Sequence, residues 1–303
     1  MTQREGWERE PRIATIGDGL DPQVLRAVGW KVSGALQVLP YDDPRDVPSY
    51  AALDELLSDG LDAVVLDGAD TLLAGHLPDL LAARLAVLLP SPAPLEGELL
   101  RICRDAAPDA VVAVGLVQRW EQWARATRQA APLAGGPVLQ CTVRGWPRGS
   151  VQAAELVDLA RTWCGEVVGV VAAPATLPAA QLAEGVPVAW ALLHEGGATT
   201  LVSHEHAPPV VRLSFETARW EAGPLGAGWV GGAPLELRQP RVPGSVPPGT
   251  APGLVACADW LRTAVTQEPD LRDGPADLGD LQVIDRVLAA LRESSRREVP
   301  VEV

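Results

Sequence analysis

The sequence predicts an α/β protein in which a parallel-sheet domain is followed by an α/β domain whose open sheet is mostly antiparallel. Short, continuous apolar runs alternate with helical stretches as far as about residue 118, a pattern typical of a parallel sheet covered on both faces. From Arg119 onwards, longer strands of alternating polarity are joined by Gly and Pro turns, which favours antiparallel pairing with helices on one face.

These patterns divide the chain of 303 residues into three parts. Residues 1–10 are polar and charged, so we expect a disordered N-terminus. The parallel-sheet domain is predicted over 11–118 and the second domain over 119–303. The last helix, at about 278–295, is predicted to pack back on the first domain.

The overall charge excludes several classes of partner. A net charge of −14 argues against binding to nucleic acid or to anionic membranes, because both require clustered Lys and Arg. Lys31 is the only lysine, and no apolar run reaches membrane-spanning length. The cysteines are scattered without a Cys-x-x-Cys pair, so reduced thiols in a cytoplasmic protein are expected.

A glycine-containing turn near the start resembles the opening of a dinucleotide-binding βαβ unit. A β-branched run ends at Gly17, Gly19 follows after Asp18, and a helical pattern begins behind them. Such glycines let the backbone turn tightly and approach a pyrophosphate, so this trio is predicted to bind a cofactor in a Rossmann-like domain. The dinucleotide-binding fingerprint has a third glycine, which has no side chain. Pro22 occupies that position here and brings a proline ring to it.

Two further segments are predicted to complete a nucleotide site. Asp42, which follows the second predicted strand, lies where this fold keeps an acid for the ribose hydroxyls. Its alternative interpretation is an Asp-Asp-Pro turn. Ligands of such sheets bind beyond the carboxyl ends of the strands, here at 17–22, 67–71 and 90–92.

Four passages in order resemble the Gfo/Idh/MocA family of NAD(P)-dependent oxidoreductases. Val111–Gly115 followed by Arg119-Trp120 looks like the strand and arginine that leave the family's nucleotide domain. The other passages cover 133–138, 156–167 and 281–301. The resemblance implies NAD or NADP as cofactor, a small-molecule substrate, and a homodimer formed through the C-terminal sheet.

The chain departs from this family where proton transfer takes place. Ser91 stands where the family's Glu-Lys-Pro motif has its lysine, and Pro92 remains. Glu155 stands where the family has its catalytic histidine, and the aspartate three residues later persists as Asp158. The resemblance therefore implies a divergent member without the usual catalytic Lys and His.

Four residues are candidates for catalysis. Glu155 and Asp158 share one helix face, as an acid–base pair or as part of a solvated surface. Arg119 could hold a substrate carboxylate or simply begin a surface helix. His194 is either catalytic or a hairpin histidine. His204 and His206 alternate on a strand, but no third ligand is placed, so no metal site is predicted.

Three functions remain open on the sequence. The first is an NAD(P)-dependent reductase of a conjugated C=C or C=N bond in a small, secondary-metabolite-like molecule, for which an electrophilic acceptor lessens the need for the missing residues. The second is a degenerate pseudo-oxidoreductase that scaffolds or regulates a partner enzyme. The third is a cyclase or isomerase that uses the same substrate-binding cleft without a cofactor.

Overall fold

The structure, a computed structural model, divides into two compact units. It describes residues 10–36, 47–67, 71–91, 97–107, 109–147, 149–173, 187, 189–204, 208–232, 234–235, 243–267 and 274–303. Unit 1 comprises Met1–Val117 with Arg241–Gln282, and unit 2 comprises Gln118–Pro240 with Val283–Val303. The sequence analysis assigned all residues after 118 to the second domain, whereas the structure groups 241–282 with the first.

Unit 1 contains a parallel sheet whose strands are β1 (Arg12–Ile16), β2 (Lys31–Leu36), β3 (Ser49–Tyr50), β4 (Ala63–Leu66), β5 (Ala86–Leu89) and β6 (Val112–Val114). Their order across the sheet is β3-β2-β1-β4-β5-β6, and each pair is parallel. The residues of β4 and β5 are buried throughout, which explains why these strands read as continuous apolar runs.

The helices between these strands are α1 (Pro22–Ala27), α2 (Leu53–Ser58), α3 (Thr71–Ala74), α4 (Leu77–Ala82) and α5 (Gly97–Ala106). The helical pattern of the sequence over 72–84 corresponds to two short helices, α3 and α4. Gly75 and His76 separate them, and Pro78 is accommodated because it lies in the first turn of α4, where its missing N–H is no loss.

The boundary between the two units falls within a 3₁₀ turn (Val117–Trp120). In unit 2 the turn is followed by α6 (Gln122–Ala134), β7 (Gln140–Arg144) and α7 (Ser150–Cys164). Its remaining strands before residue 240 are β8 (Val167–Ala172), β9 (Ala189–His194), β10 (Thr199–Ser203), β11 (Val210–Ser214), β12 (Arg219–Gly223), β13 (Gly226–Trp229) and β14 (Pro234–Leu235). The chain then forms α8 (Pro252–Thr266), α9 (Leu278–Arg297) and β15 (Val301–Glu302).

The described strands of unit 2 form a single sheet with the order β14-β13-β12-β11-β7-β10-β9-β8-β15. Every neighbouring pair is antiparallel except β7 and β10, which run parallel. The prediction of a mostly antiparallel sheet is confirmed. The hairpin of β12 and β13 was not predicted, because its glycines resemble a loop.

One face of this sheet is covered by α6 and α7. The indole N–H of Trp220 on β12 donates to Thr127 Oγ1 on α6 at 3.1 Å. Trp123 on α6 contacts Trp163 on α7 with ring centroids 6.1 Å apart. These buried tryptophans fill the space between helices and sheet, so their sequence interpretation as core residues fits their positions.

The segment that returns to unit 1 is held by helix α8. This helix packs against α1, β5 and β6. The indole N–H of Trp30 donates to the carbonyl of Ala258 at 3.0 Å, across 228 residues of sequence. Among the helices that the structure describes, none is long and apolar enough to cross a membrane.

Candidate functional site

The turn after β1 lies at the centre of the parallel sheet of unit 1. Gly17 has φ +79°, a conformation that residues with a side chain rarely adopt. Its N–H donates to the carbonyl of Leu36 at 3.0 Å, which ties the turn to the end of β2. A Cβ at Gly17 would lie 2.6 Å from Leu73 Cδ1 and 2.8 Å from Asp67 Cβ, so only glycine fits here.

Gly19 brings the same turn against the ends of β4 and β5. A Cβ on this residue would lie 3.2 Å from Pro90 Cγ and 3.3 Å from the Asp67 backbone. The predicted convergence of the segments after β1, β4 and β5 is therefore present in the structure. In the strand order of this sheet, β1 and β4 flank the point where the chain reverses its direction of winding, which is where such sheets bind ligands.

The side chains around this turn suit a dinucleotide only in part. The tight turn and its position fit the cofactor. However, Pro22 offers no N–H, and the carboxylate of Asp21 accepts from the N–H of Gln23 at 2.7 Å. Asp18 is exposed and adds a negative charge beside any diphosphate. Charge and lost donors thus weaken the part of the site that would hold phosphate.

Three other predicted cofactor residues are less informative. Ser91 is half-buried at the end of β5. Asp42 and Pro92 lie outside the described residues.

A buried ion pair joins two of the predicted catalytic residues of unit 2. Arg119 Nε donates to Asp158 Oδ2 at 2.8 Å, and Nη2 donates to Oδ1 at 2.5 Å. The Asp158 side chain is fully buried and that of Arg119 is 16% exposed. This two-pronged pair, formed by residues 39 positions apart, commits both Asp158 oxygens to the guanidinium.

Glu155 lies one turn before Asp158 on α7. Its residue is only 5% exposed, and Asp158 is 0% exposed. The two acids therefore share a helix face that is covered by protein, and the alternative of a solvated face does not apply.

Glu121 is a residue that the sequence analysis missed. It precedes α6, two positions after Arg119, and its carboxyl makes no hydrogen bond that caps the helix. Burial raises the pKa of Glu121, which favours the protonated form. The only sequence signal of Glu121 is its proximity to Arg119.

His194 is held inside unit 2 by contacts with both ring nitrogens. Nδ1 lies 2.7 Å from the carbonyl oxygen of Gly165, and Nε2 lies 2.8 Å from Thr200 Oγ1. Because a carbonyl only accepts, Nδ1 carries a proton. Burial lowers the pKa of His194, although the Gly165 carbonyl and Glu166 oppose this. Gly165, whose carbonyl oxygen the ring contacts, caps the C-terminal end of α7.

His204 is also engaged through both ring nitrogens. Nδ1 lies 2.7 Å from the carbonyl oxygen of Trp146, and the indole N–H of Trp190 donates to Nε2 at 3.2 Å. His206 lies outside the described residues. Within the part of the chain that is described, no group of three metal-ligating residues occurs.

The two sheets together define a class of protein. A parallel sheet with the order β3-β2-β1-β4-β5-β6 and a glycine turn after β1 is the Rossmann arrangement. The second unit adds a large open sheet with helices on one face. This combination is the fold of the Gfo/Idh/MocA-type oxidoreductases.

Solved structures of that type match nearly the whole chain. An inositol dehydrogenase homolog from Azotobacter vinelandii, complexed with NADH and myo-inositol, has 16% identity, covers 98% of each chain and gives a TM-score of 0.73. The aldose-aldose oxidoreductase from Caulobacter crescentus, complexed with glycerol, has 19% identity over 97% of this chain and 100% of that chain, with a TM-score of 0.73. The WlbA dehydrogenase from Bordetella pertussis, complexed with NADH and UDP-GlcNAcA, has 17% identity over 98% of each chain, with a TM-score of 0.70.

At sequence level, no protein-family model and no curated protein matches this chain. The structural likeness at these identities establishes the fold.

The ion pair predicts a large loss of stability when only one partner is removed. Arg119→Met leaves the Asp158 carboxylate buried without its guanidinium, and we expect it to lower the free energy of unfolding by about 3–5 kcal/mol. Adding Asp158→Leu removes the stranded charge and should recover most of that loss. Denaturant unfolding of the two single variants and the double variant measures the coupling.

An exposed pair serves as the matched control. Arg212 and Glu221 pair on the open face of the sheet with side chains 46% and 44% exposed, so Arg212→Met should cost less than about 1 kcal/mol. Equal losses for Arg119→Met and Arg212→Met would contradict the assigned importance of burial.

The buried histidine predicts acid sensitivity. Because the pKa of His194 is lower in the folded protein, its contribution to stability is complete above the unfolded-state pKa of about 6.5 and is lost as the pH falls towards the folded value. A lowering of the His194 pKa by one unit corresponds to about 1.4 kcal/mol in the free energy of unfolding. His194→Gln should flatten the decline of unfolding free energy between pH 7 and 5. Parallel pH profiles for wild type and variant would contradict this.

Proposed function

We propose that this protein is a cytoplasmic NAD(P)-dependent reductase of a conjugated C=C or C=N bond in a small organic molecule. The observation that carries the proposal is the Gly17–Gly19 turn, packed against the Asp67 and Pro90 ends of the neighbouring strands at the switch point of a Rossmann sheet. Structural neighbours crystallised with NADH support the same type of cofactor. Solved structures of the neighbours contain NAD+ or NADH, which favours NAD over NADP.

A conjugated acceptor that took a hydride from a bound reduced nicotinamide would need one proton at its other end. Among the buried acids of unit 2, Asp158 is unsuited to carrying a proton because Arg119 occupies both of its carboxylate oxygens. Glu121, whose pKa is raised by burial, and the buried Glu155 are the proposed acid groups of this unit.

Several residues of this chain differ from the pattern of the family that it resembles, and they favour a second candidate function. Pro22 and the Asp21 cap remove donors that a diphosphate would use, and the family's lysine position holds Ser91. These features favour a pseudo-oxidoreductase that has kept the fold as a scaffold or regulatory subunit for a partner enzyme. The same features equally favour a cofactor-independent cyclase or isomerase that uses the acids of α7.

Cofactor binding separates the reductase from both alternatives. NADH or NADPH at about a hundred times its dissociation constant should stabilise the fold by about 2.7 kcal/mol, which is readily seen as a thermal shift. Asp18→Asn removes a charge from the turn and should tighten binding about threefold, the effect of one charge at about 6 Å in water. Calorimetry with each dinucleotide measures both effects.

Asp54→Asn is the control for that substitution. Asp54 is also an exposed acid near the start of a helix in unit 1, but it lies in α2, and its replacement should leave the dissociation constant unchanged. Absence of NADH and NADPH binding at millimolar concentration would reject the reductase in favour of the alternatives.

We further propose a homodimer formed through the open face of the sheet in unit 2. Leu201, Leu193 and Val171 lie on adjacent strands of this face and are 41%, 38% and 37% exposed. Neighbouring apolar side chains on the uncovered side of a sheet are typical of an association surface.

Sedimentation velocity tests this dimer. Leu201→Arg should shift the protein from dimer to monomer, because a charge would be buried at the centre of the contact. Leu133→Arg is the control, since Leu133 is 75% exposed on α6 rather than on the sheet. A wild-type protein that sediments as a monomer at about 100 μM would contradict the proposal, that concentration being well above the micromolar range at which a specific interface dissociates.

A further inference from the structure

Two thiols and a hydroxyl meet beneath the sheet of unit 2. Cys141 on β7 and Thr200 on β10 are register partners in the parallel ladder, and both are fully buried. Cys164, the last residue of α7, lies against the same point, with its Sγ 3.7 Å from Thr200 Oγ1. Both cysteines therefore adjoin Thr200. Residues 23 positions apart are thus brought together by the packing of α7 on the sheet.

The contacts distinguish the two sulfurs chemically. The neighbouring Cys141 lowers the pKa of Cys164, whereas burial opposes this effect. The same contact with Cys164, together with burial, raises the pKa of Cys141. Cys164 is therefore the sulfur that ionises first, and it is the partly exposed member of the pair. The thiolate is the reactive form of cysteine towards oxidants.

The remaining cysteines lack this arrangement. Cys103 and Cys257 are buried in unit 1, and burial raises the pKa of Cys103 to about 11. Both should therefore react slowly. Cys103 and Cys257 therefore serve as an internal control for the reactivity of Cys141 and Cys164.

We propose that Cys164 and Cys141 form an oxidation site in which hydrogen peroxide converts the two thiols to a reversible disulfide. The Cys164 thiolate attacks one peroxide oxygen, and the O–O bond breaks to give a sulfenic acid and water. Cys141 then attacks the Cys164 sulfur, the S–O bond breaks, and a second water leaves. Two thiols are oxidised and one peroxide is reduced, without a further reactant.

The site lies outside the residues assigned to the proposed reaction. Cys164 is the last residue of α7, six positions after Asp158, and a disulfide would tie this helix end covalently to β7. The inference does not depend on cofactor binding, because it concerns thiols alone.

Peptide mass spectrometry of the full chain tests the site directly. After treatment with hydrogen peroxide and blocking of free thiols, we expect a Cys141–Cys164 cross-linked peptide that dithiothreitol removes, with Cys103 and Cys257 still in the thiol form. Cys141→Ser should leave Cys164 trapped by a sulfenic-acid reagent.

Each opposite result overturns the proposal. A chain that resists excess peroxide, a cross-link that includes Cys103 or Cys257, or oxidation of Cys164 to sulfinic acid in the wild type without a cross-link would each reject the pair.

Discussion

The burial of charge on α7 constrains how unit 2 is built. A carboxylate that water cannot reach is stable only with a partner of opposite charge and good geometry, and Arg119 provides this for Asp158 through two hydrogen bonds. The 3₁₀ turn that carries Arg119 must therefore stand at a fixed distance from the helix. The positions of Glu121 and the start of α6 follow from that placement, because they come two and three positions after the arginine.

The same constraint recurs on the covered face of the sheet. His194, Thr200 and Cys164 lie where the end of α7 meets the strands, and they are joined to one another or to the Gly165 carbonyl. Such networks fix the relative position of helix and sheet, since a shift of either would leave polar atoms unpaired. Polar contacts thus position α7 both near its middle and at its C-terminal end.

Sequence reasoning succeeded where a residue's role follows from its immediate neighbours. The buried strands β4 and β5 were predicted because residues enclosed on both faces must all be apolar, and the turn at Gly17 because positive φ demands glycine. It failed for contacts between distant residues. Nothing near Arg119 reveals its partnership with Asp158, and nothing near the Pro- and Gly-rich stretch before α8 reveals that the chain returns to unit 1.

The interrupted course of the chain has a consequence for synthesis. Unit 1 lacks α8 until residues 252–266 have been made, and unit 2 lacks β15, which pairs with β8, until residues 301–302 have been added. On a ribosome that works from the N-terminus, neither unit can close its hydrophobic core early. A chain that stopped before residue 252 would leave both units incomplete.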